Sequence, residues 1–206
     1  DKSLSKRDFS RVINPLKKFG AKFDSNKKKT LPLSIMGATS AKPIKYFEYR
    51  GSAQCKSSVM LASLNTPGET CIKAKKSRNH TELLFKYLKI PIKIKKTKKF
   101  DLIKIKGVKK ISPLINYQVP ADISSSAFFM VLATLSINSS LLIKGVNINP
   151  SRTGVITILK KMGAKISLKN KKNYKGEKVS DIFIKSSNKL KSINCPIELN
   201  SSSIDE

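Results

Sequence analysis

The chain has 206 residues, 42 Lys and Arg against 13 Asp and Glu, a formal net charge of +29, and 39% hydrophobic residues. A chain this long and this apolar can bury a sizeable core, which excludes wholesale disorder, and no apolar run reaches the roughly 20 residues needed to span a bilayer. Cys55, Cys71 and Cys195 share no CxxC spacing and have only His80 to help them, so neither a zinc site nor a disulfide framework is expected, and a reducing, cytoplasmic setting fits best.

In chain order, the polar start LSKRDFSR (4–11) leads into a helix that ends in LKKFGAKF (16–23), with Gly20 as its stop and a strand after it. LPLSIMG (31–37) reads as a strand. GSAQCKS (51–57) opens a Ser-rich helix over 52–64, followed by the strand TCIKA (70–74). KSRNHTE (76–82) opens a further helix that runs into FKYLKIPI (85–92); Lys93 to Lys99 form an exposed strand and turn, and DLIKIKG (101–107) alternates as a strand should. PADISSS (120–126) opens a second Ser-rich helix over 123–135, LLIKGVNI (141–148) is a strand, and NPSRTG (149–154) starts the helix ending in LKKMGAKI (159–166). DIFIKS (181–186) closes the pattern, and NSSSIDE (200–206) looks like the opening of one more Ser-rich helix.

These elements repeat. LKKFGAKF and LKKMGAKI lie 143 residues apart (159 less 16), and FKYLKIPI sits 69 after the first (85 less 16), with Lys89-Ile90 in place of Gly-Ala. The two Ser-rich helices align at an offset of 71, and both read as buried. The order helix, strand, strand, connection, helix, strand, with a period near 70 residues, is an α/β architecture built from repeats. With Asp1 rather than Met at the start and a helix opening at the end, the chain is expected to be an internal piece of a larger protein.

The charge alone places nucleic acid among the candidate partners. Yet only Arg7, Arg11, Arg50, Arg78 and Arg152 are arginine, and the lysines are spread along the chain beside 23 Ile and 13 Asn against 10 Ala. That is the bias of an AT-rich coding genome acting on a solvated surface.

The polar clusters at helix starts carry more. Ser, Asn or Asp in a first turn satisfies free N–H groups and leaves the positive end of the helix available to an anion such as phosphate. Ser52 and Gln54 read equally as plain capping residues. Arg78 sits badly with the dipole of the helix it precedes, which makes an anionic partner attractive. Arg152 reads as a capping and interdomain salt-bridge residue, His80 as a capping or packing histidine in a first turn, and Asp122 as the cap of the helix at Ser124. No glycine-rich phosphate loop, metal-ligand set or paired catalytic carboxylates are found, which suits binding of a small phosphorylated molecule better than turnover by this segment alone.

Taken in order, DKSLSKRDFSRVINPLKKFGAK, GSAQCKSSVMLASLNTPGET, SRNHTELL, VPADISSSAFFMVLATL and NPSRTGVITILKKMGAKI resemble the 5-enolpyruvylshikimate-3-phosphate synthase family across essentially the whole chain. The resemblance implies an enolpyruvyl transferase-like inside-out barrel: βαβαββ units in a pseudo-threefold arrangement, one lobe of two, truncated at both ends. It places one lobe at 1–200, with repeats near 1–50, 51–121 and 122–200, and the start of a crossover at 201–206. The implied reaction moves the enolpyruvyl group of phosphoenolpyruvate to the 5-hydroxyl of shikimate 3-phosphate, through a tetrahedral intermediate and loss of phosphate. No cofactor or metal, no nucleic acid and no membrane are implied, and a monomer is the family expectation.

By motif, Arg7 and Gln54 would hold phosphoenolpyruvate, while Ser52, Ala53, Gln54, Ser77 and Arg78 would hold shikimate 3-phosphate; no proton-transfer residue falls in this chain. Asp8 stands where the family usually has Pro, where its carboxylate would partly neutralise Arg7, and Ala121 stands where it usually has Gly. The alternatives are a UDP-N-acetylglucosamine enolpyruvyl transferase, which needs a reactive loop cysteine, and a basic nucleic-acid-binding module. Cys55 falls at a helix start and Cys71 and Cys195 in strand-like context, so none suits that loop.

Overall fold

A computed structural model describes residues 2–25, 29–108 and 116–203. The chain divides into two compact units, Asp1–Pro113 and Leu114–Glu206.

In the first unit a short turn of helix, α1 (Lys2–Ser5), precedes α2 (Ser10–Phe19), which turns Ile13, Pro15 and Phe19 inward. The antiparallel hairpin of β1 (Lys22–Ser25) and β2 (Leu33–Met36) follows. A complete βαβαββ unit comes next: β3 (Lys45–Glu48), α3 (Ala53–Leu64), β4 (Glu69–Lys75), α4 (His80–Tyr87), β5 (Ile92–Lys96) and β6 (Phe100–Lys106). Its sheet order is β3-β4-β6-β5, parallel between β3 and β4 and antiparallel elsewhere. β4 and β6 alternate strictly, placing Ile72, Ala74, Ile103 and Ile105 under Val59, Met60 and Leu64 of α3 and Phe85 of α4. Burying each such aliphatic side chain stabilises the fold by about 1.5–3 kcal/mol. The Lys-rich stretch Lys93–Lys99 is edge strand β5 and the turn after it, where lysines discourage pairing with another chain.

The second unit repeats this plan. α5 (Ile123–Leu135), β7 (Ser140–Asn147), α6 (Gly154–Lys161), β8 (Lys165–Tyr174) and β9 (Glu177–Lys185) build a sheet of order β7-β9-β8. The strand that should precede α5 is reduced to Ala121, which bridges Val146 in parallel: its N–H donates to the Gly145 carbonyl and its own carbonyl accepts from the Asn147 N–H. A 3-10 turn at Ile197–Leu199 and a short helix, α7 (Asn200–Ser203), follow.

The shared helix stop appears three times with the same backbone bonds. At the end of α2 the Gly20 N–H donates to Lys17 O and Ala21 to Leu16 O; at α4, Lys89 donates to Lys86 O and Ile90 to Phe85 O; at α6, Gly163 donates to Lys160 O and Ala164 to Leu159 O. Gly20 (φ 105°) and Gly163 (φ 103°) reach the left-handed region without a Cβ, whereas Lys89 is held there at φ 56°.

Two expectations need correction. α3 buries Cys55, Lys56, Val59, Met60, Ser63 and Leu64, but α5 is buried on one face only: Phe128, Phe129, Leu132 and Leu135 are exposed. A helix apolar all round shows no stripe to say which face the core takes. Cys195 lies in an irregular, exposed stretch rather than a strand, while Cys55 is buried in α3 and Cys71 sits in β4.

Candidate functional site

The Ser-rich helix α3 begins where the end of β3 is held by a buried carboxylate. Glu48 is 2% exposed and accepts from the Arg50 N–H at 3.1 Å and the Gly51 N–H at 2.7 Å, fixing the turn that delivers Ser52. Ser52 caps α3, its hydroxyl accepting from the Cys55 N–H at 3.3 Å. Ser52 and Ala53 are partly exposed and Gln54 is exposed. The first turn of α3 therefore offers backbone N–H groups and the positive helix end to solvent.

The second cluster, Ser77 and Arg78, lies in the connection from β4 to α4, and both residues are partly exposed. A side chain that sequence motifs do not mark ties it to α3. Lys56, 1% exposed, reaches out of α3 to donate to the Arg78 carbonyl at 2.8 Å and pairs with Glu82 of α4 at 2.6 Å. One helical position on, the Ser57 and Thr81 hydroxyls meet at 2.6 Å. These bonds set the starts of α3 and α4 side by side, so Ser52, Ala53, Gln54, Ser77 and Arg78 belong to one neighbourhood. The Ser77 hydroxyl is enclosed and has no hydrogen-bond partner among the described residues.

Arg7 is exposed just ahead of α2, which packs on α3. Its neighbour Asp8 accepts from the Ser10 hydroxyl at 2.6 Å and from the Ser10 N–H at 2.7 Å. Those two bonds, with smaller help from the charges of Lys29 and Arg50, hold the Asp8 carboxyl below its ordinary value. The carboxylate is thus engaged at the start of α2. No direct contact joins Arg7 to Gln54 or Arg78 in the way that Lys56 joins the other two clusters.

The second unit holds the repeat's counterpart of this arrangement. Asp122 caps α5, which begins at Ile123, accepting from the Ser125 N–H at 2.8 Å. Arg152, ahead of α6, pairs with Asp122 at 3.0 Å and donates to the Ser124 hydroxyl. These two partners lie in its own unit, where the arginine ties the starts of α5 and α6 together. Burial pushes the Asp122 carboxyl up, but the Ser125 bonds and the Arg152 charge outweigh it and hold the group below its ordinary value. Ser151 and Arg152 repeat the Ser77-Arg78 pair, yet here the serine is committed, donating to Asn149 Oδ1 at 2.8 Å.

His80 opens α4, as its first-turn position suggests. A cleft of about 490 Å³ in the second unit, lined by Ala121, Lys144, Lys172, Tyr174 and Asp181 among others, contains none of the candidate residues. Among the described residues no three His, Cys, Asp or Glu side chains are grouped to hold a metal ion, and no helix is long and apolar enough to cross a membrane.

Lys56 is invisible to motif reading because lysine is everywhere in this chain, and Glu48 because nothing in the local sequence shows that its carboxylate turns inward. One signal was available: Lys56 falls on the same helical stripe as Val59, Met60 and Ser63, an inward position that a lysine takes only with a partner.

Residues 1–198 match the family described as EPSP synthase (3-phosphoshikimate 1-carboxyvinyltransferase). The 3-phosphoshikimate 1-carboxyvinyltransferase of Ruthia magnifica is 48% identical over 207 residues, covering 100% of this chain and 46% of its own length, and that of Petrotoga mobilis is 41% identical over 208. Among solved structures, EPSP synthase from Acinetobacter baumannii superposes with a TM-score of 0.83 at 40% identity, over 100% of this chain and 46% of that one. The enolpyruvyl transferase NikO from Streptomyces tendae shares the fold at a TM-score of 0.66 and 12% identity, over 90% of this chain and 43% of its own. The chain spans about half the length of the curated relatives it matches. On a match that runs through nearly every residue, and on the superposition with a solved EPSP synthase at 40% identity, this chain belongs to the EPSP synthase family.

Proposed function

We propose that the complete protein carrying this chain transfers the enolpyruvyl group of phosphoenolpyruvate to the 5-hydroxyl of shikimate 3-phosphate. The hydroxyl oxygen bonds to the enol carbon while the hydroxyl gives up its proton and the methylene carbon takes one up; the tetrahedral intermediate then loses inorganic phosphate as the methyl carbon gives back a proton and the double bond re-forms. In this reading the chain supplies most of one lobe, with repeats near 1–50, 51–121 and 122–200 and a crossover beginning at 201–206. It binds substrate rather than moving protons. Ser52, Ala53 and Gln54 at the start of α3, with Ser77 and Arg78 before α4, receive shikimate 3-phosphate; Arg7 and Gln54 receive phosphoenolpyruvate. No cofactor is required, and the protein acts as a cytoplasmic monomer.

The observation that carries this reading is the cross-tied pair of helix starts, where Lys56 and the Ser57–Thr81 bond gather two anion-ready clusters on one surface. The comparison within the chain supports it: the Ser151-Arg152 pair is absorbed by Asn149 and Asp122, while the Ser77 hydroxyl, though enclosed, has no hydrogen-bond partner among the described residues.

The rival reading as a nucleic-acid module has an observation of its own. Phe47 and Phe100 meet edge to face at 5.6 Å on the sheet, with Lys73 5.2 Å and 4.7 Å from the two rings. Calorimetric titration of the complete protein with shikimate 3-phosphate, and separately with mixed-sequence RNA at about 0.15 M salt, where non-specific binding is weak, separates the two. Saturable binding of the sugar phosphate is expected. Tight RNA binding with no sugar-phosphate binding would overturn the enzyme reading.

A further inference from the structure

We infer that Lys56 is a positioning residue for the phosphate-binding pair Ser77-Arg78, acting from inside the protein without touching substrate. The inference rests on the function proposed above and assigns a new residue to it. Lys56 is buried, and a buried ammonium is tolerated only where its charge is balanced and its protons are used. Glu82 supplies the balance at 2.6 Å, and one proton goes to the Arg78 carbonyl at 2.8 Å. That second bond has no role in balancing charge. It fastens the backbone of Arg78, on a connection between β4 and α4, to the rigid body of α3.

The consequence is geometric. Ser52, Ala53 and Gln54 are carried by the first turn of α3, and Lys56 leaves the same helix shortly after, so its side chain spans from the body that carries the α3 cluster to the Arg78 backbone. The Ser57–Thr81 hydroxyl bond at 2.6 Å aligns α3 with α4 but stops short of the connection itself. Lys56 reaches the main chain of Arg78. The second unit solves the same problem from the opposite side: there the arginine of the connection reaches across to Asp122 and Ser124 at the start of the Ser-rich helix. In that unit the tie consumes the arginine side chain. In the first unit a buried lysine holds the connection by its main chain.

The test uses the complete protein and the pair of substitutions Lys56→Met with Glu82→Gln, which removes the bond to Arg78 O without stranding a buried charge. Binding of shikimate 3-phosphate is measured by calorimetry, and the Michaelis constants of both substrates by steady-state kinetics. Displacing a substrate-holding group by about 1 Å can cost on the order of 100-fold, so a partly restrained loop should lose roughly tenfold in affinity for shikimate 3-phosphate. The Michaelis constant for phosphoenolpyruvate should stay within about threefold, a split that a general loss of stability would not produce. A folded double variant with parental affinity for shikimate 3-phosphate overturns the inference. Should the double variant fail to fold, Lys56→Arg decides: its larger head displaces the Arg78 carbonyl, so weakened binding supports positioning and unchanged binding sinks it. If the parent protein itself binds no shikimate 3-phosphate, the function proposed above fails first, and the inference falls with it.

Discussion

Replacing Glu48 by Gln tests whether a buried carboxylate holds the entrance to α3. In the parent, both carboxylate oxygens are used, one by the Arg50 N–H at 3.1 Å and the other by the Gly51 N–H at 2.7 Å, in a residue 2% exposed. Glutamine keeps one acceptor and turns an amide N–H₂ toward the other donor, leaving a buried backbone N–H unsatisfied at a cost of about 1–3 kcal/mol. The remaining bond also loses its ionic character, worth about 1 kcal/mol, while removal of a buried charge gives part of this back. A net loss near 2 kcal/mol should move the urea midpoint down by about 1 M at an unchanged slope, since slopes of 1–3 kcal/mol/M are usual. Hydrogen exchange at the Gly51 amide should accelerate in parallel, and affinity for shikimate 3-phosphate should fall because Ser52 is delivered by this turn. A midpoint within about 0.2 M of the parent, with Gly51 still protected, would refute the reasoning.

Four further outcomes follow from the same structure. A Cβ added at Gly107 would lie 1.9 Å from the Thr66 carbonyl oxygen, so Gly107→Ala forces the backbone apart and should cost about 3 kcal/mol or more, read by denaturant unfolding; a neutral result would show that the contact between β6 and the end of α3 is looser than described. Lys89→Gly relieves a left-handed residue by about 1–2 kcal/mol and adds about 0.5–1 kcal/mol of unfolded-state freedom, so it should stabilise by up to about 1.5 kcal/mol, and a destabilisation of that size contradicts it. The Tyr46 phenol is pushed up to about 12, first by burial and then by the nearby Cys55 and Glu48, from its ordinary 10.0. Because its folded value is the higher one, its contribution to stability is complete below pH 10.0 and is lost as pH rises toward 12; the tyrosinate absorbance of the parent minus Tyr46→Phe should titrate in that upper range. Arg78→Ala in the complete protein should chiefly raise the Michaelis constant for shikimate 3-phosphate, and an unchanged constant removes Arg78 from the site.

Much of this molecule was legible before any coordinates. The two copies of the LKK-aromatic-or-Met-GAK stretch announced the repeat, and spacing alone found the degenerate copy at 85–92, because the helix stop is a backbone motif that survives loss of its glycine. Asp122 as a cap and the strand character of 101–107 followed from local chemistry in the same way. What stayed hidden depends on partners distant in sequence. Ala121 is a strand one residue long, with no period to detect. Nothing near Arg152 says that its partner is Asp122, 30 positions earlier, and nothing in α5 separates buried Met130 from exposed Phe129. At the site, the clusters were visible but their convergence was not, since Lys56 is one of many lysines until its burial is known.

The three matching helix stops bear on ancestry. Each is written in main-chain bonds, so its residues could drift freely provided that one position still tolerated an unusual torsion, and Lys89 shows how far such drift has gone. Duplicated segments in proteins of this kind should therefore be easier to trace by the dihedral signature of their turns than by residue likeness, and descent from one small ancestral module stays readable in torsions after the letters have diverged.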